Sequence, residues 1–515
     1  MMPQSKNYKI IFCLLCFLIV VERFYVILYF GSKYSDTDQL ILWQALKDLS
    51  NGNFYGPYFY GQMYNPMLEA WLAFPFYKMG LNFQTALSIS TSILALSPFF
   101  ILAFFLKRKN GLNYAILPLI VLLLMPANFS YLTTISRGFI TGFIFVIMGL
   151  VVFLNATKNW SYFVSGLLIG VAFFMNLNSL LILPLFLLKF KEETFRDILG
   201  KIPFFTIGLM SYLGLIFLSD YFYSVYPFSL VHETPTLKFG VKYFFRAVNN
   251  LDIFFNKVTP LFGFSSYILL LTFPILGFVL YKKNRRLESL ILFISFTEII
   301  ACLFLKKVND GTNSIFFAGD RMFLALPFLY LFLLIFIFQN IHQNTARKFK
   351  NLMVFMAIFL FGFKIIFAKE LLKHALSPKY ESVVKVFKIE DLRKECQKQL
   401  AFTKRKAEIV IALSASSAQQ DIIYGCNCLI PEFPSTLNPS FERRPTLMDK
   451  LKGKKPEYIL FQIKHFDSIQ NLMKMPLKIV RQDDNLLFVK NDSLSLKSIL
   501  LPLKLWGKTW AEDLD

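Results

Sequence analysis

Charge is scarce in this chain. Only 17% of its 515 residues are Asp, Glu, Lys or Arg, while 55% are hydrophobic and the mean hydropathy is +0.51. A soluble chain of this length carries more charge and interrupts its apolar runs sooner, so an ordinary soluble protein is excluded. Acids are scarcer than bases, 33 against 55. No A-x-A-like cleavage site follows the first apolar run, so that run reads as a retained span rather than a signal peptide. There is no internal repeat and no low-complexity tract, and the lack of inverted repeats argues against a transporter. Cysteines number six. Cys13, Cys16 and Cys302 lie in apolar runs and read as small hydrophobes. No nearby His completes a zinc site with Cys426-x-Cys428. If the tail lies outside the cytoplasm, one disulfide can form among Cys396, Cys426 and Cys428; the simpler expectation is three free thiols.

Long apolar runs are what the chain has instead. Ile10–Phe30, Ala86–Leu106, Gly138–Leu154, Phe204–Leu218, Ser265–Tyr281, Leu287–Leu305, Met322–Phe338 and Leu352–Ala368 approach or reach the ~20 residues a helix needs to cross a bilayer. The net charge of +22 would suit a nucleic-acid binder, but its placement excludes one. The bases cluster in short links between apolar runs: "KRKN" at Lys107, "KFKEETFRD" at Lys189, "YKKNRR" around Lys282 and "NTARKFK" around Arg347. That is the positive-inside pattern of a polytopic membrane protein. With Lys6 and Lys9 inside, one scheme of about eleven spans puts every strongly basic link inside except Lys306-Lys307. "NLNS" (Asn176–Ser179) reads as a polar break between two short spans. Residues 32–85 form the first outer loop.

From about Glu370 the charge rises and strand patterns appear. "AEIVIAL" (Ala407–Leu413) and "EYILF" (Glu457–Phe461) read as buried strands, and "LKIVRQDDNLLFVK" (Leu477–Lys490) as a hairpin. The chain thus divides into a membrane domain, 1–369, and a small extracytoplasmic α/β accessory domain, 370–515, expected to fold by itself without transferase activity.

The stretch "YSDTDQLILWQALKDLSNGNFYG" (Tyr34–Gly56) sets Asp36 and Asp38 just beyond the first span. Two residues apart on a helix is about 200°, so the two acids cannot share one helical face. Asp36 suits the N-cap of a helix starting near Gln39. That helix is too short to span; Leu40, Trp43, Leu46 and Leu49 predict an amphipathic helix on the outer membrane surface, with Trp43 at the interface. Glu69 lies just inside the next apolar helix, where an acid needs a cavity or a partner. Glu22-Arg23 within the first span reads as a structural pair, or as paired with a neighbouring helix.

The acidic pair, the "NGNFYG" helix end and "YGQMYNPMLEAWLAFPFYKMG" resemble the first outer loop of C-type (GT-C) glycosyltransferases that use polyprenyl-phosphate sugars. Within that class the stretch is similar to the glycosyltransferase family 39-like bacterial proteins, such as protein O-mannosyltransferases and aminoarabinose transferases. The pair of short spans around "NLNS" and the late "GDRMFLALPFLYLF" (Gly319–Phe332) fit the same pattern, so the resemblance covers roughly residues 1–340.

It implies a GT-C-like polytopic α-helical fold. It also implies inverting transfer of a hexose or pentose from a polyprenyl-phosphate donor to a lipid, glycan or protein acceptor, at the outer face of a bacterial inner membrane. The catalytic acid maps onto Asp36 or Asp38, with Asp38 favoured for the chemistry and Asp36 for the cap. The second outer loop, "NFSYLTTISRG", lacks the carboxylate that relatives often carry there. That favours a metal-independent site with no cofactor over a divalent cation at Asp36 and Asp38. The anionic leaving group needs no strong acid. The acceptor hydroxyl needs a base, and the departing phosphate needs cations. Arg137, Arg321, Lys306 and Lys307 are the candidate cations; the plainer reading of each is an interfacial residue. Glu69, Tyr60, Gln62, Tyr64 and His232 are further substrate-binding candidates. Two other classes compete. A lipid-linked sugar transporter or flippase would need more intramembrane ionisable residues than Glu22, Arg23, Glu298 and Lys364. An O-antigen polymerase or ligase would rely on loop arginines.

Overall fold

The computed structural model describes residues 6–60, 62–225, 238–260, 266–377, 386–413, 425–437, 453–463, 472 and 474–500. Two compact units share the chain, and neither is continuous in sequence. The first comprises Met1–Gly31, Ser88–Leu218 and Pro235–Ser382; the second comprises Ser32–Leu87, Ser219–Thr234 and Val383–Asp515.

The apolar runs are largely helices. Asn7–Gly31, Phe83–Asn110, Ile202–Val225 and Gln343–Ile366 are long and apolar enough to cross a membrane, and five shorter apolar helices accompany them among the described residues. The chain is an integral membrane protein. Its first helix, α1 (Lys6–Val26), exposes Ile10, Phe17 and Phe24 at a spacing of seven, a stripe suited to lipid. At "NLNS" the helix Asn159–Met175 stops, and the chain continues as a 3-10 helix, Leu177–Lys191. Asn176 caps it by accepting from the Asn178 amide, and its own Nδ2 donates to the Gly138 carbonyl. The polar break is thus bonded to neighbouring backbone, as a buried interruption must be.

The charges of α1 are matched from other helices. Glu22 forms a 2.9 Å ion pair with Lys364 and accepts from Ser130 Oγ at 2.8 Å. Arg23 Nη1 donates to the Ser130 carbonyl, Thr133 Oγ1 and Thr134 Oγ1. Of the two alternatives for Glu22, pairing with a neighbouring helix is the one observed. An unmatched charge at this depth would be costly.

The second unit joins the first loop to the tail. Strand β1 (Tyr34–Asp36) pairs antiparallel with β2 (Val386–Lys388), and Asp36 lies opposite Val386. A five-stranded sheet follows, built from β3 (Ile409–Ala412), β4 (Ser435–Leu437), β5 (Tyr458–Gln462), β6 (Leu477–Asp483) and β7 (Leu486–Asn491). Its order is β4-β3-β5-β7-β6. Strand β3 runs parallel to β4 and β5, and β7 runs antiparallel to β5 and β6. The strand and hairpin patterns of the tail are therefore real elements.

Both faces of the central strands β3, β5 and β7 are apolar, so both need cover, whereas the edge strand β6 is exposed. Ile409, Ile411, Ile459 and Phe461 pack over Leu496, Ile499 and Leu500. On the other face Val410, Leu460 and Phe488 pack with helix Ile389–Phe402 and with residues of the first loop: Leu40, Trp43, Leu46 and Ala70. The latter belong to α2 (Thr37–Ser50) and α3 (Leu68–Lys78). A division at residue 370 separates elements that share one core. The expected surface helix is likewise corrected. In α2 the whole run Leu40–Leu46 is buried, and Trp43 is only 1% exposed, inside the protein rather than at a membrane interface. Ile41, Leu42 and Ala45 widen its apolar face well beyond a single stripe, which is the mark of a buried helix.

The expectation of three free thiols is also corrected. Cys396 and Cys426 form a disulfide, closing a separation of 30 residues. It fastens helix Ile389–Phe402 to the 425–429 segment, where Lys47 Nζ of α2 donates to the carbonyl and the Oδ1 of Asn427 at 2.5 and 2.7 Å. Cys428 stays outside the bond, its Sγ 3.9 Å from Gln44 Oε1. Loop-closure entropy for this separation corresponds to about 3–4 kcal/mol. The double variant Cys396→Ser/Cys426→Ser should therefore melt at lower temperature than the parent, and reduction should lower the parent's melting point in the same way. An unchanged melting point in both would show the bond to be dispensable.

Candidate active site

The acidic turn is built by two adjoining elements. Strand β1 ends on Asp36, whose backbone is extended, and α2 begins at the next residue. Asp36 Oδ1 accepts the Gln39 amide at 2.9 Å, which makes Asp36 the N-cap. It is fully buried. Asp38 stands in the first helical turn and is partly exposed. The two acids thus have different backbone conformations, one extended and one helical. Glu69 occupies the first turn of α3 and is fully buried.

The aromatic loop between α2 and α3 is tied down locally. Tyr60 donates its hydroxyl to Asp48 Oδ2 at 3.1 Å, and Asp48 Oδ1 accepts from Gln44 Nε2 at 2.8 Å. Gln62 donates its amide to the Phe59 carbonyl, and its Oε1 accepts from Asn65 Nδ2 at 3.4 Å. Tyr64, between them, is half-buried. Gly56 has φ +127, and a Cβ there would collide with the Tyr223 hydroxyl, so any other residue would be strained. Tyr58 stacks on Tyr223, with ring centroids 6.1 Å apart.

The first unit gathers two of the candidate cations. The Arg321 guanidinium lies 4.0 Å from the centroid of the Phe317 ring and 5.4 Å from that of Phe139; the Arg137 guanidinium lies 5.9 Å from the same Phe317 centroid. Both arginines are buried. Such cation–π contacts orient a guanidinium while leaving its in-plane donors directed elsewhere. Two guanidinium groups at one ring concentrate positive charge in a form suited to phosphate.

The backbone around Arg321 is fixed as well. It sits in a 3-10 turn, Gly319–Phe323, and its carbonyl accepts from Asn178 Nδ2 at 3.1 Å. The neighbouring Asp320 is fully buried and paired with Lys257: Nζ donates to Oδ2 at 2.7 Å and the amide to Oδ1 at 2.9 Å. Burial pushes the Asp320 carboxyl up, with the Lys257 ammonium acting against it.

The remaining candidates are more scattered. Lys306 is exposed and donates its amide to the Lys238 carbonyl; Lys307, half-buried, opens the turn Lys307–Asp310. His232 lies outside the described residues. Among the described residues no three His, Cys, Asp or Glu side chains gather as a metal-binding group.

Sequence reasoning singled out neither Phe317, Lys257 nor Asp320, and it read Asn178 only as part of a turn. An acid immediately before an apolar span does signal a buried partner, but nothing local in the sequence says that the partner is Lys257, 63 residues away.

No protein-family model matches the chain, and no curated protein does. Among solved structures it is similar to a crystal structure of ArnT from Cupriavidus metallidurans bound to undecaprenyl phosphate. The identity is 12% and the TM-score 0.48, over 95% of this chain and 99% of that one. It is similar also to the apo state of the same protein, with 11% identity and a TM-score of 0.47, over 93% of this chain and 97% of that one.

Proposed function

We propose that the chain is a membrane glycosyltransferase. It moves a sugar from a polyprenyl-phosphate donor to a hydroxyl of a lipid, glycan or protein acceptor, with inversion and without a metal ion. The reaction takes place at the outer face of a bacterial inner membrane. The observation that carries this reading is the division of roles in the acidic turn. Asp36 is buried and its Oδ1 is the helix cap, whereas Asp38 is partly exposed one position into a helix held by a packed core. One acid builds the turn and the other is presented by it.

The chemistry requires little more. The acceptor hydroxyl attacks the anomeric carbon and loses its proton to Asp38 as the bond forms. The leaving phosphate is already anionic and needs positive charge; within the first unit, Arg137 and Arg321 are suited to bind a lipid phosphate. The Cys396–Cys426 disulfide fits an oxidising compartment for the unit that carries Asp38.

The test is transfer by the purified full chain in lipid nanodiscs, given a panel of radiolabelled polyprenyl-phosphate hexoses and pentoses with membrane-lipid and glycan acceptors. Transfer from at least one donor is expected. Failure with the whole panel, in preparations that bind polyprenyl phosphate, would overturn the reading.

A further inference from the structure

The Lys257–Asp320 pair lies one residue from Arg321, and its geometry separates two roles. The turn that carries Asp320 and Arg321 has supports besides the Lys257 side chain. The Gly319 amide donates to the Thr312 carbonyl at 3.0 Å, and the Arg321 carbonyl is held by Asn178. A Cβ on Gly319 would lie 2.8 Å from Ile253 Cγ2 and 2.9 Å from the Ile253 carbonyl oxygen, so the turn presses directly on the segment that leads to Lys257. The backbone therefore has its own supports. What Lys257 adds is charge: its ammonium and its amide take one oxygen each of a carboxylate that is fully buried. Without that ammonium, the cation next along the chain from Asp320 is Arg321.

We infer that Lys257 is a positioning residue for phosphate recognition: by holding both oxygens of Asp320 it keeps that negative charge away from Arg321, whose guanidinium then serves an anionic lipid phosphate. The inference rests on the phosphate role given to Arg321 above. An unmasked carboxylate beside the site would both repel the phosphate and compete for the guanidinium. At about 10 Å and an effective dielectric constant of about 20, one such charge weakens anion binding on the order of tenfold.

The test measures affinity for farnesyl phosphate, with farnesol as the uncharged control, by thermophoresis of the detergent-purified full chain. The parent should prefer the phosphate. Lys257→Met should lose that preference on the order of tenfold, with farnesol binding unchanged, and Lys257→Arg should keep it. The double variant Lys257→Met/Asp320→Asn, which removes the exposed charge along with its mask, should recover the parent's affinity. If Lys257→Met binds farnesyl phosphate as the parent does, or the double variant stays as weak as the single one, Lys257 does not act by masking Asp320 and the inference is overturned. A parent that does not distinguish farnesyl phosphate from farnesol would overturn the phosphate reading itself, and this inference with it.

Discussion

Asp38→Asn should slow sugar transfer by roughly 10²–10⁴-fold, the range for removing a general base, and leave donor affinity unchanged. The variant keeps the shape of the side chain and its place in the first turn of α2, so the fold has no reason to change. Asp36→Asn should behave differently. Asp36 Oδ1 accepts the Gln39 amide, and the Asn side-chain oxygen caps nearly as well, so the cost is on the order of 0–1 kcal/mol and much of the activity should survive. Single-turnover kinetics with a bound donor separate the two effects, because they report the chemical step without acceptor or product release. The opposite ranking would exchange the two roles. Full activity in both variants would mean that the acidic pair is only a cap and its neighbour.

The second large effect concerns the tail. Residues 370–515 expressed alone should not melt cooperatively, contrary to what their composition suggests. One face of the sheet, with Val410, Leu460 and Phe488, is covered by Leu40, Trp43, Leu46 and Ala70 from the first loop. Losing the burial of one large core side chain costs about 2–5 kcal/mol, and a domain's whole stability is about 5–15 kcal/mol. Losing several at once exceeds what remains. Fusing residues 32–87 to the tail through a flexible linker should restore a cooperative transition in circular dichroism. A sharp melt of the tail alone would show that the first loop is not part of its core.

How far the sequence could be read follows from the range of the interactions involved. Apolar runs, the break at Asn176, the Asp36 cap and the hairpin at Asp484-Asn485 are local, set by residues within a few positions of one another. They were legible for that reason. The disulfide, the β1–β2 pairing and the Lys257–Asp320 pair join residues between 30 and about 350 positions apart, and no periodicity encodes them. The helix α2 was misread for a different reason. Its run Leu40–Leu46 is apolar nearly all round, yet the stripe of Leu40, Trp43 and Leu46 was enough to suggest a membrane surface, because the sequence does not show that a distant sheet has a bare face to offer it. Among the candidate cations, Arg137 and Arg321 meet at Phe317, a convergence that depends on tertiary packing alone.

The most direct measurement follows the oxygen that bridges the anomeric carbon and phosphorus of the donor. The full chain is given a polyprenyl-phosphate sugar labelled with heavy oxygen at that position, and both products are weighed by mass spectrometry. Attack of an acceptor hydroxyl on the anomeric carbon breaks the carbon–oxygen bond. All the label should then leave with polyprenyl phosphate, none should enter the glycoside, and the Asp38→Asn variant should release almost none in the same time. Label retained in the sugar-bearing product would mean that the bond to phosphorus is the one broken, and would contradict glycosyl transfer.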